Sequence, residues 1–160
     1  MSVQIALERP DQPAVEALIQ ALDAYQQALY PDESNHLLDI AHLTSADTLF
    51  CVARVDGQAA GCGAAVIRDG MGEIKRMYVD PTQRGLGIGR AILQFLEGEL
   101  AGRGVEWARL ETGIHQPQAL ALYARLGYRE IGPFGDYTPD PLSIFFEKQL
   151  VPISRNGASA

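Results

Sequence analysis

Two Asp-Gly pairs, Asp56-Gly57 and Asp69-Gly70, cut the middle of the chain into three strand-like runs, "TLFCVARV", "QAAGCGAAVIR" and "MGEIKRMYV". A two-residue Asp-Gly link suits a type I′ hairpin turn, because both central residues must take positive φ. Such links leave no slack, so the pattern predicts a three-stranded antiparallel meander. The flanking segments extend it. Val3, Ile5 and Leu7 alternate loosely and read as a first strand. Val15, Leu18, Ile19, Leu22, Tyr25 and Leu29 recur at helical spacing, with Asp11 expected as cap, Pro13 in the first turn and an end near Tyr30–Pro31. "DESNHLLDIAHL" reads as a second, shorter helix. After the meander, Ile88, Ile92, Phe95, Leu96 and Leu100 line one face of a helix that a "GRG" run ends. "VEWARLETG" reads as a strand, and the next helix has Ala119, Leu122, Tyr123 and Leu126 on one side. "YREIG" and "PLSIFFEKQL" close the chain as strands. This order predicts an α/β fold of the α+β kind, a mixed sheet with helices on both faces.

The 160 residues suit one domain, expected over 1–150, with the small polar tail at 151–160 expected to fray. The net charge of -7 and the absence of a Lys/Arg run argue against nucleic acid. An acidic surface attracts cationic or neutral small substrates, or serves solubility alone. No basic-then-apolar leader and no apolar run near ~18 residues is present, so neither a signal peptide nor a membrane span is expected. Cys51 and Cys62 lie in apolar strands without CxxC spacing. They read as two buried thiols in a reducing cytoplasm, with a cross-strand disulfide as the alternative.

Three glycines, Gly85, Gly87 and Gly89, fall between the last meander strand and the next helix in "VDPTQRGLGIGRAI". The dinucleotide fingerprint G-x-G-x-x-G fails, because Arg90 or Ile92 stands where its third glycine belongs. A P-loop needs G-K-[ST], which is missing. What remains is Arg84-x-x-Gly87-x-Gly89 leading into a helix. Orphan N–H groups at a helix start converge on one spot that the helix dipole makes positive. Glycines let a diphosphate approach the main chain, and Arg84 and Arg90 add charge. The alternative is a glycine-rich turn with no ligand; the preceding strand, the amphipathic helix and the arginines favour a pyrophosphate.

"GEIKRMYVDPTQRGLGIGRAILQFLE" resembles the acetyl-CoA-binding motif of the GNAT superfamily of N-acetyltransferases, and "HQPQALALYARLGYREIG" resembles the motif that follows it. The two run from about Gly72 to Gly132, and the element order matches the GNAT fold, with splayed fourth and fifth strands. Gln116 stands where the family usually has Asn, and Tyr128 where it often has Phe.

The resemblance implies acetyl-CoA as cosubstrate, lying where the "KRMYV" and "ARLET" strands part. Its pyrophosphate would rest on the N–H groups of Arg84, Gly85, Leu86, Gly87, Ile88, Gly89 and Arg90. Its pantetheine would run as an extra strand along Met77, Tyr78 and Val79, with Gln116 as a further contact. Tyr123 matches the family's general acid, and the same position also suits a core tyrosine. A protonated amine must lose a proton before it attacks; Glu73, Glu111 and a water relay are the alternatives for the base. Candidates for the acceptor pocket are Tyr30, Glu33, Ser34 and His36, then Glu111 and Thr112, then the loop holding Asp136, Tyr137 and Asp140. A carboxylate or phenol there can bind an ammonium group; the alternative is an acidic surface loop. His36, His42 and His115 lack metal-site spacing, so no metal is expected.

The function expected is acetyl transfer from acetyl-CoA directly to a primary amine of a small or amino-acid-like molecule. A peptide or protein amine, a CoA-binding regulatory module and a structural protein on the same fold are the alternatives. A homodimer is a further expectation, since family members often pair.

Overall fold

Both Asp-Gly links form the expected turns. Asp56 and Gly57 take φ of 50° and 86°, and Asp69 and Gly70 take 54° and 75°, the paired positive values of a type I′ turn. They join β2 (Thr48–Val55), β3 (Gln58–Arg68) and β4 (Met71–Val79), with Val55 opposite Gln58 and Arg68 opposite Met71. The computed structural model describes residues 2–31 and 43–150.

With β1 (Val3–Leu7), β5 (Trp107–Gly113), β6 (Arg129–Ile131) and β7 (Ser143–Gln149), these strands build a seven-stranded sheet in the order β1-β2-β3-β4-β5-β7-β6. Every described neighbour pair is antiparallel except β4 and β5, which run parallel. A parallel neighbour needs a crossover, and α2 (Ile88–Gly102) supplies it. Helix α1 (Pro13–Leu29) lies between β1 and β2 in the chain, and α3 (Pro117–Arg125) between β5 and β6. The expected cap of α1 is corrected: Gln12 holds that place without a side-chain bond to the helix N–H groups, while Asp11 forms an ion pair with Arg9 at 2.8 Å. Apart from Leu43, the helix expected over 32–43 lies outside the described residues, as does the tail at 151–160.

The sheet has two apolar faces. On one, Val15, Leu18 and Ile19 of α1 pack on Phe50, Val52, Cys62 and Ala64. On the other, Ile88, Ile92, Leu93, Leu96 and Leu100 of α2 pack on Cys51, Ile74, Leu110 and Phe146. Each Val, Leu, Ile or Phe among them, fully buried, is worth roughly 1.5–3 kcal/mol. The two cysteines are free thiols on opposite faces, which removes the disulfide alternative. Burial pushes both up to about 12. In α1 the apolar stripe outruns the core: Tyr25 is 40% exposed and borders a cleft instead.

That cleft starts from a fault in β4. Tyr78 pairs with Cys62 and Lys75 with Ala64, so Arg76 and Met77 together oppose the single Gly63. Arg76 takes φ of 58°. This is a β-bulge, and it resets the alternation of side chains. Gly72 lies against Leu100 of α2, whereas Lys75 reaches Glu73 and Tyr137 on the α1 side. Arg76, next in sequence, stays on that side and forms an ion pair with Asp23 of α1. Met77 turns back toward the α2 core. Pairing of β4 with β5 ends at Ile74 and Leu110. Beyond it the two strands continue to Val79 and Gly113 unpaired with each other, and the cleft opens between them.

Candidate active site

The cleft holds about 950 Å³. One end is the N-terminus of α2. Gly85 and Gly87 take φ of 85° and 76°, and Gly87 caps the helix in the left-handed conformation. A Cβ would meet nothing within 4 Å at either position. Backbone conformation, not crowding, thus calls for glycine, and the space above the loop stays open. The first helical bond runs from Ala91 N–H to Gly87 C=O at 3.0 Å. The N–H groups of Ile88, Gly89 and Arg90 precede the ladder and suit an anion. Arg84 lies beside them, its Nε donating to Val79 C=O at 3.1 Å and its guanidinium 5.6 Å from the Tyr78 ring centroid.

Met77, Tyr78 and Val79 form the wall along β4, and Tyr123 of α3 lies across from them. Tyr123 is 6% exposed and packs on the rings of Tyr128 and Phe146, with centroids 5.8 and 6.2 Å away. Burial pushes its phenol up to about 12. It is both a core residue and a cleft residue, so the two readings of the sequence meet in one side chain.

Tyr30 and Gln116 form a brace. The Tyr30 hydroxyl accepts from His115 N–H at 3.1 Å and donates to Gln116 Oε1 at 3.3 Å. The same oxygen accepts from Gly113 N–H at 3.2 Å. The Tyr30 ring covers Gly113 so closely that a Cβ there would lie 1.8 Å from the hydroxyl oxygen. The end of α1 is thereby tied to the loop that starts α3.

The two candidate carboxylates part company. Glu73 accepts from Tyr137 Oη and from Lys75 Nζ, and it is not among the lining residues. Glu111 does line the cleft, accepting from Ser143 Oγ at 2.8 Å, with Thr112 beside it. Tyr137 is packed between Phe134 and Phe145, with centroids 5.2 and 5.5 Å away, while its loop neighbours Gly135, Asp136, Thr138 and Pro139 are exposed. Burial first, then the Glu73 charge, raises its pKa. Tyr137 stands behind Lys75, outside the lining, and Leu86 is also outside it, 45% exposed. Glu33, Ser34, His36 and His42 lie outside the described residues. Among the described residues no cluster of three His, Cys, Asp or Glu is placed to hold a metal ion, and no helix is long and apolar enough to cross a membrane.

Sequence reading missed Lys75, Arg76 and Arg125, all of which line the cleft. For the first two a signal was available. "GEIKRM" alternates until two cations stand side by side, and a break in period two marks a bulge.

A model of the acetyltransferase (GNAT) family matches residues 15–128. An IAA acetyltransferase of Azospirillum brasilense is 50% identical over 151 residues, covering 93% of this chain and 99% of that protein. Among solved structures, a protein proposed to be an acyl-CoA N-acyltransferase from Klebsiella pneumoniae superposes with a TM-score of 0.79 at 41% identity, covering 92% of this chain and 97% of that one. The PaiA N-acetyltransferase of Thermoplasma acidophilum, solved with coenzyme A, gives a TM-score of 0.73 at 21% identity, covering 93% and 99% of the two chains. At that identity the likeness concerns the fold alone.

Proposed function

The chain belongs to the acetyltransferase (GNAT) family, and from that premise we propose that it carries acetyl from acetyl-CoA directly to a primary amine of a small or amino-acid-like molecule. One observation carries the reading. A single cleft joins the open N-terminus of α2, the unpaired edge of β4 and the Tyr123 ring.

In this reading the N–H groups of Ile88, Gly89 and Arg90 receive the pyrophosphate, with Arg84 and Arg90 adding charge. Met77 and Val79 offer main-chain groups along β4, and an N–H there holds the carbonyl oxygen as negative charge develops. The amine nitrogen bonds to the acetyl carbon, the C–S bond breaks, and its electron pair stays on sulfur. An ammonium acceptor starts with three protons on nitrogen; the amide keeps one, the thiol takes one and one leaves to solvent. Glu111 is placed better than Glu73 to accept a proton, directly or through water, because Glu111 lines the cleft and Glu73 does not. Tyr123 lines the cleft, and in this reading its hydroxyl faces the leaving sulfur. Its phenol is held up to about 12, against roughly 8.5 for a thiol. It is the weaker acid, so it stabilises the leaving thiolate by donating a hydrogen bond rather than by full proton transfer.

Release of free thiol from acetyl-CoA against a panel of primary amines tests the reading. Turnover above hydrolysis with small amines is expected. Tight acetyl-CoA binding without amine-dependent thiol release would mean a binding module instead.

A further inference from the structure

The chain has a net charge of -7, yet among the described residues the cleft lining holds five cations, Lys75, Arg76, Arg84, Arg90 and Arg125, and one carboxylate, Glu111. The net acidity of the chain is therefore not carried into the described cleft. Arg84 and Arg90 lie at the N-terminus of α2, and Arg125 ends α3. The first two can serve the phosphates of a nucleotide, and Arg125 lines the cleft from the end of α3. Lys75 and Arg76 are elsewhere. They precede Met77 in β4, where pairing with β5 has just ended, and the bulge keeps both on the α1 side of the sheet.

Arg76 forms an ion pair with Asp23. Lys75 differs. Its ammonium donates to Tyr137 Oη at 2.8 Å and to Glu73 Oε2 at 3.2 Å. An ammonium carries three donors, so one remains. The side chain is 13% exposed and borders the cleft. Glu73 and Tyr137 thus hold the lysine head in place, an arrangement that favours binding because little freedom is left to lose. A bare ammonium ligand would meet like charge here. A ligand with a carboxylate beside its amine would meet Lys75 with the one group and Glu111 with the other.

We propose that the acceptor is an amino-carboxylate, and that Lys75, set by Glu73 and Tyr137, receives its carboxylate while the amine lies toward Glu111. This rests on the acetyl-transfer reading above. It makes Lys75 a specificity-determining residue, and it gives Glu73 the work of positioning a cation rather than that of a base.

The test compares thiol release with matched acceptors, each amino acid against its own carboxamide, with rates referred to the free-amine fraction. In the wild-type protein the carboxylate form is expected to be preferred at least about tenfold in kcat/KM, the loss that follows from removing a charge-assisted hydrogen bond. In Lys75→Met that ratio is expected to fall toward one, through KM for the acid. Lys75→Arg, which keeps the charge, should retain part of it. Equal use of acid and amide by the wild-type protein overturns the inference without any variant, so a Lys75→Met protein that fails to fold does not shield it. A ratio that survives in folded Lys75→Met also overturns it. Absence of thiol release with every amine overturns the acetyl-transfer reading, and this inference falls with it.

Discussion

Tyr123 is fixed by ring contacts with Tyr128 and with Phe146 of β7, so removing its hydroxyl should leave the packing intact. Tyr123→Phe is expected to lower kcat about 10- to 100-fold, the worth of a hydrogen bond to a charged group. KM for acetyl-CoA should change less than about threefold, because the lost contact forms only as the thiolate develops. Steady-state thiol release measures both. The phenol keeps its proton up to about 12. The pH profile should therefore rise as the amine deprotonates and show no fall due to Tyr123 below about pH 11. A descending limb between about pH 8 and 10 that disappears in Tyr123→Phe would contradict the assignment.

The loop entering α2 allows a sharper contrast between neighbours. Gly87 sits at φ of 76°, whereas a Cβ on Gly89 would make ordinary contacts of 3.7 Å with Leu122 and Val79. Gly87→Ala is expected to cost about 1–2 kcal/mol through left-handed strain. Gly89→Ala, inside a helix, should be neutral or slightly stabilising, within about 1 kcal/mol. Urea denaturation of the two variants separates them, and equal losses would show that backbone conformation is not the reason for Gly87. Much of this loop was legible, because turn residues and helical periodicity act within a few residues of chain. The strand order of the meander was legible for the same reason. The brace of Tyr30 on Gln116 was not, since it joins residues 86 positions apart. The Tyr137 clamp on Glu73 spans 64 positions and was equally invisible. Such contacts depend on how two elements pack, and no local pattern reports that. The bulge at Arg76 lies between these cases: the doubled cation is local, but which face it serves depends on α1.

The distribution of buried acids over the molecule sets its response to alkali. Cys51, Cys62, Tyr123, Tyr128 and Tyr137 all have pKa values raised by burial. The unfolded chain therefore gives up these protons first as pH climbs. Their stabilisation is whole below the unfolded values, 9.0 for the thiols and 10.0 for the phenols, and drains away as pH nears about 12, where Cys51, Cys62 and Tyr123 titrate in the fold. Tm is expected to lose almost nothing to these groups up to about pH 8 and to drop steeply above about pH 10. A thermal melt that stays level to about pH 11 would contradict that account of the core. The cleft itself also records how the chain comes together. Strands β2, β3 and β4 meet through two-residue turns, so their pairing asks for almost no loop closure. In the chain β5 reaches β4 only across the α2 crossover, and it pairs only from Met71–Trp107 to Ile74–Leu110. Local pairing costs less chain entropy than distant pairing. The meander is the local part of the sheet and the β4–β5 seam a distant join. The cleft opens along that seam, so its walls on β4 and β5 come from parts of the chain that α2 separates.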